Sequence, residues 1–73
     1  MELRIDRDAD ALYLKLDERT TVAETVEVAP GLIIDYGDEG NLVGIEILFL
    51  SVRAPGLDAG RLLYEVESGG RSG

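Results

Sequence analysis

Leu32-Ile33-Ile34-Asp35-Tyr36-Gly37-Asp38-Glu39-Gly40-Asn41-Leu42-Val43-Gly44-Ile45-Glu46-Ile47 holds two apolar, β-prone runs on either side of a compact acidic turn with two glycines. Apolar runs of this length joined by a short Gly- and Asp-bearing connection predict a β-hairpin. Gly40-Asn41 lies where such a turn needs permissive backbone angles. The hairpin supplies predicted strands four (Leu32 to Tyr36) and five (Leu42 to Leu48), and the rest of the chain is read against it.

Upstream, Val22 to Val28 is rich in β-branched residues and forms the third predicted strand. Glu24 falls on its valine side, which points to an edge position, a bulge or a shorter strand, since charges on sheet edges discourage unwanted pairing. Ala29-Pro30-Gly31 suits a tight turn into strand four, because proline presets φ and glycine tolerates positive φ. At the start of the chain, Leu3 and Ile5 alternate with Glu2, Arg4 and Asp6, the period of a half-buried strand. Leu12, Leu14 and Leu16 alternate with Tyr13 and Lys15 and close a first hairpin across the aspartate-rich turn Asp6-Arg7-Asp8-Ala9-Asp10, where short carboxylates bond nearby backbone. Asp17 to Thr21 is a polar connection.

Downstream, Gly44 lies inside strand five, a position that marks a bulge or the close approach of another backbone or ring, with Tyr13 or Tyr36 as the covering residue. Ile47 to Val52 no longer alternates, so either both sides are buried or the chain changes to a helical turn before Ala54-Pro55-Gly56. Leu57 to Glu67 supports two readings: a helix capped by Asp58 and carrying Leu62, Leu63 and Val66, or a sixth strand with Leu62, Tyr64 and Val66 on one side. Gly60 weakens a short helix, which favours strand. The expected fold is mainly β, a small antiparallel sheet of five or six strands built from hairpins. One short helical element after strand five would make it α+β. Residues 1–67 form a single domain, and the Gly/Ser-rich stretch 68–73 is expected to be a flexible tail.

The 73 residues contain no Cys and no His, which removes disulfides, thiolate or imidazole zinc sites and the common nucleophile and base pairs. A core of this size alone supplies about 3–5 kcal/mol, so self-association is the expected support. Fifteen acidic against seven basic residues give a net charge of −8, which repels phosphate backbones and argues against nucleic-acid binding. No apolar run reaches the length of a bilayer span, and the charged start Met1-Glu2-Leu3-Arg4 lacks the apolar core of a secretory signal. A cytoplasmic protein with no membrane association is expected.

Asp10, Leu12, Tyr13 and Leu14, followed by Val28, Gly31, Asp35, Tyr36, Gly40 and Val43-Gly44-Ile45-Glu46-Ile47-Leu48, form a pattern that resembles the small prokaryotic family catalogued as domain of unknown function 2283. The likeness spans roughly Met1 to Ala54. Members commonly carry another acidic residue where Gly37 stands, so the turn chemistry departs from the family pattern here. The resemblance implies a compact β-rich domain and brings no established activity. Because members are often encoded beside other small proteins, it also implies a role as partner in a two-component module.

Three carboxylate groupings bear on function. Asp6, Asp8 and Asp10 have the spacing that opens an EF-hand-type loop, with Asp17 at the twelfth position, but Ala11 stands where that loop needs glycine. They are the alternative reading, a cation-binding module. Hairpin geometry separates most of Asp35, Asp38, Glu39 and Glu46; Asp35 and Glu46 approach only if the register places them opposite each other on one face, and the group lacks a third ligand, a defined pocket or a positive partner. Gly37 to Gly40 would aim carboxylates at an anion and cannot cradle phosphate. The expectation is therefore a non-enzymatic protein-interaction module without cofactor, a homodimer or the companion of a small partner protein. Its expected interface residues are Phe49, Leu50, Val52, Leu57, Leu62, Leu63 and Val66.

Overall fold

The structure, a computed structural model, describes residues 1–69, with side chains described through residue 67. Five strands and two helices follow one another as β1 (Glu2–Asp6), β2 (Ala11–Lys15), β3 (Glu24–Ala29), β4 (Leu32–Tyr36), β5 (Leu42–Ile47), α1 (Leu50–Arg53) and α2 (Ala59–Gly69). Of the tail expected over 68–73, residues 70–73 lie outside the described residues, and α2 as delimited reaches Gly69. The strands make one open antiparallel sheet in the order β1-β2-β5-β4-β3. Three hairpins are local, but β2 lies beside β5, so residues 16–23 cross the end of the sheet to reach β3 at the far edge. Leu16 and Asp17 N–H both donate to the Val43 carbonyl, and Ala23 N–H donates to that of Tyr36 (2.8 Å), which pins the crossover at both ends.

Between them, Asp17 folds the crossover on itself. Its carboxylate accepts the Thr20 hydroxyl and the backbone N–H groups of Arg19 (2.9 Å) and Thr20 (3.1 Å). The Thr20 hydroxyl first, then those amides, hold the Asp17 carboxyl below the usual carboxylate range. The same crossover explains Gly37: a Cβ there would sit 2.7 Å from Thr20 Cγ2 and 2.6 Å from Asn41 Oδ1. A side chain at that position would have to move the Thr20 and Asn41 side chains.

The turns follow the chemistry read from the sequence. Pro30-Gly31 closes the β3–β4 hairpin with Gly31 at φ +75°, and the Glu27 carboxylate accepts the Gly31 N–H (3.1 Å). In the central hairpin Gly40 N–H donates to Gly37 O (3.0 Å) and Gly37 N–H to Asn41 O (2.8 Å), with Gly40 at φ +80°. A Cβ on Gly40 would meet no atom within 4 Å, so substitution there acts through the backbone alone. Gly40→Val is expected to cost about 1 kcal/mol or more, since a β-branched residue resists positive φ. Gly56→Val, at a glycine with equally open space and no positive φ, is expected to stay within about 0.5 kcal/mol. Thermal melts of the two variants check this, and equal midpoints would show that the central turn does not need its left-handed residue.

Within the stretch 57–67 the chain is helix from Ala59 onward, not the sixth strand that Gly60 favoured. Asp58 caps α2 by accepting the Arg61 N–H on Oδ1 (3.0 Å), and Arg61 pairs with Glu65 one turn on (2.8 Å). A cap contributes about 1 kcal/mol and an i,i+4 pair a few tenths, which together offset the cost of about 1 kcal/mol for glycine in a helix. α2 packs on β1, with Leu62, Leu63 and Val66 half-buried. Strand three begins at Glu24 rather than Val22. It is an edge strand with a register shift between Glu27 and Ala29, which accounts for a glutamate on its apolar side.

Candidate functional site

Register places two chemically distinct faces on the sheet. On one, Leu3, Leu14, Ile45, Ile34 and Val26 line up across all five strands, and Ile5, Leu12, Ile47 and Leu32 form a second row. On the other run Arg4, Tyr13, Glu46, Ile33 and Glu27, and beside them Glu2, Lys15, Gly44, Asp35 and Thr25. Among charged strand residues only Glu24 falls on the apolar face, and the pairing is irregular only between Glu27 and Ala29 and between Asp35 and Tyr36.

The polar face is organised around Gly44. A Cβ at Gly44 would lie 2.2 Å from the Tyr13 hydroxyl oxygen and 2.7 Å from Cζ, so the ring crosses β5 directly over the glycine. The Tyr13 hydroxyl donates to Asp35 Oδ2 (2.9 Å), and the Thr25 hydroxyl donates to Asp35 Oδ1 (2.7 Å). Four strands are tied together in this way. Burial first, then the hydrogen bond to Asp35 and its charge, raise the Tyr13 hydroxyl above the ordinary tyrosine range. A raised folded-state value means that the stability this group contributes is present below the unfolded value and is lost as pH rises through the folded one. Next to the ring, Arg4, Asp6, Ala9, Ala11, Tyr13 and Glu46 line an open basin of about 370 Å³. Arg4 is paired with Glu2 (3.0 Å), and the phenol is committed to Asp35, so the basin presents no activated nucleophile.

The aspartates of the first turn serve structure. Asp6 Oδ1 accepts the Ala9 N–H (3.0 Å). Asp10, itself at φ +54°, accepts the Ser51 N–H on Oδ1 (2.9 Å) and the Ser51 hydroxyl on Oδ2 (2.7 Å), and its carbonyl accepts the Leu50 N–H (2.9 Å). Phe49, the residue before α1, makes no side-chain cap, so Asp10 caps this helix from the opposite end of the chain. Asp6, Asp8 and Asp10 do not converge, and among the described residues no group of three or more acidic side chains could hold a metal ion.

The interface residues expected from the sequence divide. Leu50 is only 8% exposed and belongs to the chain's own core, which removes it from the candidate surface. Its burial follows from the anchoring of α1 on Asp10. Phe49 (59%) and Val52 (78%) are exposed, Leu57 lies at the margin, and Leu62, Leu63 and Val66 are half-buried on α2. Phe49 also lies against the β3–β4 turn, its Cδ2 3.1 Å from where a Gly31 Cβ would be. Sequence reasoning missed the larger apolar surface. Leu14, Val26, Leu32, Ile34, Ile45 and Ile47 are half-buried, and α2 makes no packing on β3, β4 or β5 comparable to that on β1. No sequence signal marked it, since Leu48, Phe49, Leu50, Val52, Leu57, Leu62, Leu63, Tyr64 and Val66 all follow Ile47, and which of them reach the sheet is set by tertiary packing.

No helix among the described residues is long and apolar enough to cross a membrane. Neither the comparison with curated proteins nor that with solved structures gave a match. A family model does match, over residues 3–51, a span that takes in the sheet from Leu3 onward, the Tyr13–Gly44–Asp35 crossing and the Asp10–Ser51 cap, and leaves out α2. With more than half of its length in that match, the chain belongs to the family described as "Protein of unknown function (DUF2283)".

Proposed function

We propose that the protein is a non-enzymatic protein-interaction module whose docking surface is the apolar face of the sheet, over β5, β4 and β3. The observation that carries this reading is the row Leu3, Leu14, Ile45, Ile34 and Val26, half-buried in every strand while α2 packs chiefly on β1, at one end of the row. Few side chains are fully buried: the core consists of Ala11, Leu12, Val43 and Leu50. An apolar sheet face whose charged strand residues all stand on the other side, Glu24 excepted, is the kind of surface that meets another polypeptide. The Asp6, Asp8 and Asp10 turn offers no comparable support for cation binding, because Asp6 and Asp10 already accept bonds from Ala9 and Ser51.

An environment-sensitive apolar dye tests the reading on folded protein, with circular dichroism followed in parallel. In dilute solution, where any partner has dissociated, the dye is expected to bind, and Ile45→Lys is expected to reduce its signal. A folded monomer that binds no dye would remove the reading.

A further inference from the structure

We infer that the occupant of this face is a second copy of the chain, packed sheet on sheet about a two-fold axis; the inference rests on the interaction reading above. Charge favours a self-complementary contact. The chain carries a net charge of −8, yet Glu2, Arg4, Asp6, Lys15, Glu27, Asp35 and Glu46 all stand on the opposite face. The one exception, Glu24, lies on the edge strand β3 and would meet solvent at the rim. Two identical copies therefore bring no like charges together at the centre, where an unpaired buried charge would be most costly.

The shape also suits a sheet-on-sheet contact. The molecule is a slab of 33 × 32 × 18 Å, and the row from Leu3 to Val26 runs across all five strands of its sheet. An isologous contact requires a surface that complements itself under two-fold rotation. The apolar row has aliphatic residues at every position from Leu3 to Val26, with Ile45 on the central strand, so any copy of it offers the other the same kind of side chain. Two open sheets stacked in this way form a sandwich with inner faces about 10 Å apart. The arrangement also supplies the second layer that a 73-residue chain without disulfides lacks.

Sedimentation equilibrium of the full chain tests the inference, with twice 7.9 kDa expected at high micromolar concentration. Ile34→Asp and Ile34→Lys are each expected to remain monomeric when alone and to restore the dimer mass when mixed, since unlike charges then face each other across the axis. Where either variant loses its circular dichroism signal, single cysteines decide in a chain that has none of its own: Ile34→Cys is expected to cross-link into a covalent dimer under mild oxidation, and Glu46→Cys on the polar face is not. A dimer that cross-links through Glu46→Cys and not Ile34→Cys would overturn the inference by placing the contact elsewhere. A monomer at every concentration that still binds apolar dye would also overturn it, leaving the interaction reading in place with a different polypeptide as partner. A monomer that binds no dye would end both.

Discussion

Leu12→Ala is expected to lower stability by about 3 kcal/mol, the middle of the range for a buried leucine truncated in a well-packed site. Leu12 is 8% exposed and lies between Ile5 of β1 and Ile47 of β5, so alanine leaves a gap where the two halves of the sheet meet. Leu16→Ala, at a residue 36% exposed just beyond β2, is expected to cost less than about 1 kcal/mol. Urea denaturation at a fixed protein concentration checks the pair, since any self-association makes midpoints concentration-dependent. Similar losses for the two variants would mean that the β2–β5 junction is not the centre of the core. With about 3–5 kcal/mol typical of a single small core, the Leu12 variant is expected to retain about 0–2 kcal/mol without a partner.

Gly44→Ala is expected to destabilise by about 2 kcal/mol, against the usual rule that alanine is the better residue within a strand. The added Cβ would lie 2.2 Å from the Tyr13 hydroxyl, so the ring must leave β5 and its bond to Asp35 is lost. Asp35 keeps the Thr25 hydroxyl, which limits the damage. The diagnostic measurement is a double-mutant cycle. In a Tyr13→Ala background the Gly44→Ala penalty is expected to vanish or reverse sign, because the atom in the way has gone. Additive losses in the cycle would show that Gly44 is required by the backbone and not by the ring.

Three kinds of information separate cleanly in this chain. Strand positions were legible because alternation is local: Leu3 and Ile5, Leu12 and Leu14, Ile45 and Ile47 each declare a face within their own strand. Hairpin turns were legible because Pro30-Gly31 and Gly40 carry conformational requirements that do not depend on the rest of the fold. The edge position of Glu24 belongs to the same class, since a charge on an apolar side is tolerated only where water reaches it. The helix over Ala59–Gly69 was harder, because Gly60 argued against it while the Asp58 cap and the Arg61–Glu65 pair argued for it. Their sum decides the outcome, and no one of these residues does.

By itself the sequence determined that the chain is an antiparallel β domain with one apolar and one polar side, acidic and without the residues of a thiol, imidazole or zinc centre. Tertiary structure alone decided that β2 lies beside β5, and with that which of Tyr13 and Tyr36 covers Gly44 and that its hydroxyl reaches Asp35. It also decided that Asp10 caps α1 across the chain, that Leu50 is core, and that α2 packs chiefly on β1 while the apolar row stays half-buried. The physical reason is the range of each signal. Side-chain period and turn chemistry act over two to four residues, whereas strand order and the covering of a sheet depend on which distant segments bury the most surface together, a competition that no local pattern records.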